Sequence, residues 1–267
     1  MILEGRPVAQ AIEAELIQKI ANLKAKNIQP FLAVILVGSD PASVLYTRKK
    51  QEKAEALGIG YRLYRFPANI AEEDIIEVIS DLNLNKNVHG IIVQLPLPGS
   101  FDTVKVLGAI DESRDVDGLN GGFAPPAVGA ILELLKYYQI DLTDKKVVLV
   151  GRGKLVGEPL EKILKEQKVD LTICDSRTID LANEVRKGDV VISAVGKAGL
   201  ITCEMVTDKT IIIDAGTAES NGSTLGDVDP EVYAKVANYS PVPGGVGPIT
   251  VVSLLKNVVT SAEENCL

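Results

Sequence analysis

The apolar residues in the first half of the chain switch repeatedly between helical and strand-like spacing. A helix is predicted from Val8 to Leu23, because apolar residues recur there every three or four positions. A continuous apolar run then predicts a buried strand over Phe31–Gly38. The same alternation continues with a helix from Pro41 to near Gly58, a strand over Tyr61–Phe66, a helix over Ala71–Leu84 and a strand over Val88–Gln94. This repetition predicts a parallel sheet with right-handed crossovers.

A Gly- and Pro-rich stretch separates this pattern from a second one. The turn at Asp115–Gly118 and the residues up to Gly129 indicate a domain boundary. Beyond it we predict helices over Ile131–Tyr138, Val156–Glu166 and Ile249–Val259, and strands over Lys146–Val150, Val169–Cys174, Asp189–Ser193 and Thr210–Asp214. The fold class is therefore α/β, with a second α/β unit after the boundary.

Composition narrows the class of protein. Hydrophobic residues make up 46% of the 267 residues, aromatics only 4%, and Trp is absent, which is typical of parallel α/β layers. The net charge of -8 and the lack of a long basic run argue against nucleic-acid binding. With no signal-peptide pattern and no bilayer-length apolar run, no membrane partner is expected. Cys174, Cys203 and Cys266 are scattered and odd in number, which predicts reduced thiols in a cytoplasmic protein and no metal site.

A glycine-rich turn, Gly151-Arg152-Gly153-Lys154-Leu155-Val156-Gly157, follows the strand at Lys146–Val150. Glycines let the backbone approach a pyrophosphate, and a helix N-terminus offers free amides. The strand before the turn and the helix and strand after it favour a nucleotide site over a purely structural turn. At the end of the next strand, Asp175 is placed to bind ribose hydroxyls and to repel a 2′-phosphate. Alternatively, Asp175 or Ser176 caps a helix that begins near Thr178.

Two later strands end in small residues, in the segments Ser193–Lys197 and Asp214–Thr217. Small residues at the carboxyl ends of strands suit a crevice in which a ligand lies against the sheet edge. Tight turns without a ligand would have the same composition.

Lys50 is the leading candidate for acid–base chemistry. Ser43, Tyr46 and Lys50 fall on one stripe of the helix that begins at Pro41, because three- and four-residue spacings stack on one face. A phenol and an ammonium on that stripe, just after a strand, suit proton transfer, although a solvated surface lysine is the alternative. The chain has a single histidine, His89, which lies at the amino end of its strand and is treated as structural.

Gln94 and Asp117 are two polar residues at turns, from which their side chains could contact a ligand. Gln94 ends an apolar strand, where a polar side chain usually points into a cleft, although an exposed loop amide is the alternative. Asp117 lies in a tight turn, where Asp is common for local hydrogen bonding alone.

Taken together, these motifs resemble the bifunctional methylenetetrahydrofolate dehydrogenase/methenyltetrahydrofolate cyclohydrolase family. The matching segments, in family order over nearly the whole chain, are Val37-Gly38 with Pro41-Ala42-Ser43, Tyr46 and Lys50, Val93–Pro98, Asp115–Gly118, Gly151-Arg152, Val156–Pro159, Ile192–Lys197, Gly226–Asp229 and Pro241–Pro248 with Thr250.

The resemblance implies two α/β domains with a cleft between them. Residues 1–118 with the returning C-terminal helix 249–267 would form the folate-binding catalytic domain, and residues 119–248 a Rossmann-type dinucleotide-binding domain. Lys50 would be the essential lysine, positioned by Tyr46 and Gln94, while Asp117 would bind the pterin ring. The remaining folate contacts would be Ser43, Val93, Leu95, Pro243, Gly244, Gly245, Val246 and Gly247. The dinucleotide contacts would be Gly151, Arg152, Gly153, Val156, Gly157, Asp175, Ser176, Arg177, Ala194, Val195, Gly196 and Thr217. We further expect a homodimer that acts on tetrahydrofolate derivatives.

The chain also departs from the family pattern. The segment 118–125 is short, Pro125-Pro126-Ala127 replaces Pro-Cys-Thr, Gly153 replaces a serine, and Asp175 replaces a histidine. Because Asp175 can accept hydrogen bonds from both ribose hydroxyls, we expect NAD rather than NADP. Arg152 and Arg177 act in the opposite direction, since either could donate to a 2′-phosphate and so favour NADP. A cyclohydrolase with weak dehydrogenase activity and a non-catalytic folate- or nucleotide-binding protein are the alternatives.

Overall fold

The protein, represented by a computed structural model that describes residues 1–220 and 223–264, divides into two compact units. The three-stranded unit comprises Ala11–Pro126 and Val251–Leu267, and the five-stranded unit comprises Met1–Gln10 and Ala127–Thr250. The helix α1 (Gly5–Ala25) runs from the second of these units into the first. Both units are α/β with parallel sheets, so the predicted fold class is confirmed.

The three-stranded unit is built on β1 (Phe31–Val37), β2 (Gly60–Phe66) and β3 (Gly90–Val93), in the order β2-β1-β3. All pairings are parallel, and the strand β1 is buried over most of its length. The helices α2 (Pro41–Leu57), α3 (Glu72–Leu84) and α4 (Thr103–Gly108) connect the strands or follow them. Of these elements, only the short α4 had no counterpart in the sequence predictions.

The helix α2 has clear start and stop signals. The Asp40 side chain accepts a hydrogen bond from the Ser43 N–H at 2.8 Å, and Pro41 occupies the first turn, where its missing N–H costs nothing. The helix ends at Gly58, whose φ of 79° is left-handed and therefore suits glycine. These caps fix where Tyr46 and Lys50 lie along the helix.

The five-stranded unit has the strand order β10-β7-β6-β4-β5, with every pairing parallel. Its strands are β4 (Lys146–Val150), β5 (Asp170–Cys174), β6 (Val190–Ser193), β7 (Ile211–Asp214) and β10 (Asn238–Tyr239). The order reverses at β4, since β5 lies on one side of it and β6 on the other. Ligands of open parallel sheets bind at such a switch point.

The helices of the five-stranded unit are α5 (Pro126–Tyr137), α6 (Gly157–Glu166), α7 (Leu181–Arg186), α8 (Val232–Lys235) and the first residues of α9 (Gly247–Glu264). A hairpin of β8 (Ala218–Ser220) and β9 (Ser223–Leu225) was not predicted. The helix predicted to begin near Thr178 begins instead at Leu181, because Asp180 caps it by accepting from the Asn183 N–H.

Two further findings bear on the sequence predictions. In the part of the chain that the structure describes, no helix is long and apolar enough to cross a membrane. Cys174 is buried and Cys203 half-buried, and both are free thiols, whereas Cys266 lies outside the described residues.

Candidate active site

Lys50 and Gln94 are brought together in the three-stranded unit. Lys50 lies on α2, and Gln94 directly follows β3, where its backbone N–H donates to the Ile35 carbonyl at 2.8 Å. The Lys50 Nζ donates to the Gln94 Oε1 at 3.0 Å, across 44 residues of sequence. The side chain of Gln94 is in turn held by its Nε2, which donates to the Leu95 carbonyl at 2.8 Å. This arrangement fixes the direction of the lysine head group.

Asp117 is the charge that acts on Lys50. Burial lowers the pKa of Lys50, and the attraction of Asp117 offsets that effect only in part. Burial likewise raises the pKa of Asp117, against the opposing influence of Lys50. Lys50 therefore loses its proton, and Asp117 gains one, more easily than in water. Side chains that change protonation near neutral pH are suited to proton transfer.

The turn that carries Asp117 is held from several sides. Asp115, which is 1% exposed, accepts a hydrogen bond from the Asn120 N–H. Gly118 has a φ of 66°, and a Cβ there would lie 2.4 Å from the Phe123 carbonyl oxygen, so the turn needs glycine. From α9, the Asn257 Nδ2 donates to the carbonyls of Val116 and Ala124, at 2.9 and 3.0 Å. Sequence reasoning missed Asn257, because it is one of several polar residues on α9 and belongs to no motif.

Ser43 and Tyr46 differ in their surroundings. Ser43 is buried, and its hydroxyl donates to the Leu95 carbonyl at 3.3 Å, beside the Gln94 amide. Tyr46 is 50% exposed, and its ring lies 5.5 Å from the Lys49 Nζ. No hydrogen bond joins Tyr46 to Lys50 among the described residues, so the positioning role of Tyr46 stays a prediction.

The other predicted folate contacts fall in both units. Val93 is buried and Leu95 half-buried, next to Gln94 in the three-stranded unit. Pro243, Gly244, Gly245, Val246 and Gly247 belong to the five-stranded unit, where the Gly5 N–H donates to the Gly244 carbonyl at 2.8 Å. A Cβ on Gly5 would lie 1.8 Å from the Gly245 oxygen, so the two backbones meet at this point. The folate contacts of this loop stay a prediction.

His89 is buried immediately before β3, and burial is the main reason that its pKa is lowered. Among the described residues, no group of three or more His, Cys, Asp or Glu side chains is placed to hold a metal ion.

The glycine-rich turn after β4 is tight enough for a phosphate cradle. Gly151 has a φ of 104°, and a Cβ on Gly157 would lie 2.2 Å from the Gly151 carbonyl oxygen. Gly157 therefore lets α6 begin directly against the turn. Gly153 is exposed, with open space where a side chain would be, and Val156 precedes the helix. This geometry fits a dinucleotide whose pyrophosphate lies at the start of α6.

Arg152 and Arg177, the two arginines predicted to contact the dinucleotide, each donate hydrogen bonds to a carboxylate of this chain. The Arg152 Nε donates to Glu161 at 2.8 Å, and Lys165 donates to the same carboxylate at 2.7 Å. Arg177 donates through its Nε to the Asp175 Oδ2 at 3.1 Å, and its backbone N–H donates to the Asp175 Oδ1 at 2.9 Å. Asp175 thus closes a local turn and does not cap a helix that begins near Thr178, while Ser176 is exposed beside it.

The loops after β6 and β7 present the other predicted cofactor residues. Val195, Gly196 and Thr217 are exposed and Ala194 is half-buried, at the carboxyl ends of the strands. Two fully buried carboxylates, Asp214 and Asp227, lie beneath these loops. Sequence reasoning noted both within motifs but gave neither a role, since hydrogen bonds between distant segments leave no periodic signal.

Comparison with known proteins identifies the family. Residues 3–117 match the model of the tetrahydrofolate dehydrogenase/cyclohydrolase catalytic domain, and residues 125–266 match the model of the NAD(P)-binding domain of the same enzymes. The chain belongs to the tetrahydrofolate dehydrogenase/cyclohydrolase family. The resemblance drawn from the sequence is thereby confirmed, and the chain is an enzyme of this class.

Individual relatives match this chain over nearly their whole length. The chain is 42% identical to the bifunctional protein FolD of Nautilia profundicola, over 98% of this chain and 97% of the relative. It is 37% identical, with a TM-score of 0.96 and 99% of each chain covered, to the crystal structure of bifunctional FolD from Campylobacter jejuni. The FolD of Trypanosoma brucei, crystallised with NADP cofactor and inhibitor, is 34% identical with a TM-score of 0.92, covering 100% of this chain and 98% of that one.

Proposed function

We propose that this chain oxidises 5,10-methylenetetrahydrofolate to 5,10-methenyltetrahydrofolate with NAD(P)+ and hydrolyses the product to 10-formyltetrahydrofolate. The observation that carries the proposal is the environment of Lys50, within the segment that matches the catalytic-domain model. Its Nζ donates a hydrogen bond to Gln94 at 3.0 Å, and burial lowers its pKa although Asp117 acts to raise it. A molecule that only bound folate would have no use for a lysine whose pKa is lowered by burial.

The two steps ask different things of these residues. When bound, a nicotinamide supplies the hydride acceptor, so the chain's own part in oxidation is to hold and align the folate. In the hydrolysis, water adds to the methenyl carbon, the five-membered ring opens between that carbon and N5, and a proton is released. Lys50 moves this proton, Gln94 holds the Lys50 Nζ in place, and Asp117 accepts hydrogen bonds from the pterin.

For the cofactor, we propose that NAD is the better substrate. Asp175 stands at the end of β5 and offers a carboxylate to ribose hydroxyls, as expected for NAD. Because Asp175 pairs with Arg177, that arginine offers less positive charge to a 2′-phosphate. Glu161 is shared by Arg152 and Lys165, so that group of three keeps one positive charge, which favours NADP and opposes the effect of Asp175.

The homodimer and the cytoplasmic location remain proposals that rest on the resemblance and on the scattered cysteines. Light scattering on the purified chain tests the first of these.

An absorbance assay for methenyltetrahydrofolate, run with NAD and NADP separately, tests the function. We expect both oxidation and hydrolysis, with a higher kcat/KM for NAD in the oxidation. Hydrolysis of methenyltetrahydrofolate without any oxidation would identify the cyclohydrolase alternative. Folate or nucleotide binding with neither reaction would identify a non-catalytic binder, and would refute the proposal.

A further inference from the structure

The loop after β6 is tied to a carboxylate that comes from a distant part of the chain. Asp227 is fully buried and accepts hydrogen bonds from the Ser193 hydroxyl, the Val195 N–H and the Lys197 N–H, each at 2.7 Å. These donors lie 30 to 34 residues before it in sequence. One side chain therefore fixes both ends of the Ser193–Lys197 loop, leaving Gly196 exposed between the two bonded amides.

The carboxylate of Asp227 is itself placed by its neighbours. A Cβ on Gly216 would lie 2.0 to 2.2 Å from the Asp227 carboxyl atoms, so the glycine makes the room that this side chain occupies. Asp214, at the end of β7, accepts from the Gly216 N–H at 3.0 Å and from the Asp227 N–H at 3.2 Å. The Val228 N–H donates to the other oxygen of Asp214 at 3.1 Å. The loops after β6 and β7 are thus joined through two buried carboxylates.

We propose that Asp227 is a positioning residue for the dinucleotide, which acts through the Val195 and Lys197 amides without touching the cofactor. A buried carboxylate that accepts three short hydrogen bonds holds its partners more rigidly than neutral groups do. A loop held in its bound form before the ligand arrives loses less freedom on binding. This inference rests on the proposed dinucleotide site and extends it to a residue outside the contact set.

The test compares Asp227→Asn with Asp229→Asn in the full chain. In the Asp227→Asn variant, the new amide retains one acceptor oxygen and turns a donor towards one of the bonded amides, so one end of the loop is released. Asp229→Asn makes the same change of charge two residues away. Among the residues that the structure describes, the Asp229 carboxylate accepts a hydrogen bond from the Glu231 N–H alone, at 2.9 Å. NAD and NADP binding is measured by calorimetry, and hydrolysis of methenyltetrahydrofolate is measured without nucleotide.

We expect Asp227→Asn to weaken binding of the better nucleotide by roughly tenfold or more, and to leave the hydrolysis rate within about twofold of wild type. Asp229→Asn should change neither quantity. A merely structural role would instead lower the melting temperature and the hydrolysis rate together. Unchanged nucleotide affinity in the folded Asp227→Asn protein would overturn the inference, whereas a wild-type chain that binds neither NAD nor NADP would overturn the proposed function.

Ser193→Ala decides the matter if Asp227→Asn does not fold. The Ser193 hydroxyl orients the Asp227 carboxylate, and its loss removes one of the three donors and adds no group. We expect nucleotide binding to weaken by roughly two- to fivefold. An unchanged dissociation constant in that variant would overturn the inference.

Discussion

The buried carboxylate of Asp214 makes stability depend on pH in a defined window. Burial raises the pKa of Asp214 from 3.8 to about 7, and the neighbouring Asp227 adds to the rise, although the N–H groups of Val228, Asp227 and Gly216 oppose it. Ser240 also faces this residue, its hydroxyl oxygen accepting from the Asp214 N–H at 2.8 Å. The group is 0% exposed, so solvent screening does not reduce the effect.

The sign follows from proton binding. The unfolded chain releases this proton near pH 3.8 and the folded chain near pH 7, so the folded state holds more protons between those values. Stability therefore falls as the pH rises from about 4 to about 7, and levels off above that. Each pKa unit corresponds to 1.36 kcal/mol, so the full effect is on the order of 4 kcal/mol, of which roughly 2–3 kcal/mol is lost between pH 5 and pH 8.

Asp214→Asn isolates this contribution, because the amide cannot titrate. Denaturant unfolding of both proteins would be followed by circular dichroism from pH 5 to pH 8, since the chain has no tryptophan. The free energy of unfolding of wild type, minus that of the variant, should fall by roughly 2–3 kcal/mol across this range. A difference that stays constant with pH would refute the reasoning, whatever the absolute stability of the variant.

Three further predictions concern the two sites. Asp117→Ala leaves the pterin donors unpaired and should weaken folate binding by roughly 1–3 kcal/mol by calorimetry, lowering both activities; unchanged affinity would contradict the role. Asn257→Ala removes both bonds to the turn that carries Asp117, so the folate dissociation constant should rise by roughly tenfold while that of the nucleotide stays constant. Asp175→Asn frees Arg177, so the ratio of kcat/KM for NADP to that for NAD should rise by roughly three- to tenfold, and a constant ratio would show that Asp175 does not set the preference.

Two elements of the three-stranded unit were predicted almost to the residue. The apolar run at Phe31–Val37 and the helix that ends at Gly58 carry signals within their own sequence, so local reasoning was sufficient. The short helices α4 and α8, the strand β10 and the hairpin of β8 and β9 were missed, because elements of two to six residues are too short to show a period.

The site was predicted less completely, because its contacts join distant segments. Lys50 and Gln94 were both singled out from the sequence, but their hydrogen bond spans 44 residues and only the fold brings them together. The pairing of Asp175 with Arg177 is local and was still missed, since an acidic residue at a strand end suits a ribose, a helix cap and a salt bridge equally well. The role of Asp227 was also not predicted, because its hydrogen-bond partners lie in a loop 30 to 34 residues away in sequence.

Hydrolysis of methenyltetrahydrofolate by Lys50→Met tests the central claim most directly. Methionine keeps much of the volume of the lysine stem but cannot transfer a proton, so hydrolysis should fall by roughly two to four orders of magnitude. Oxidation needs no acid or base, so methenyltetrahydrofolate should accumulate when the variant is given methylenetetrahydrofolate and nucleotide. Lys53→Met, on the same helix but paired with Glu13 at 2.7 Å, serves as the control and should hydrolyse normally. Near-normal hydrolysis by Lys50→Met would contradict the account.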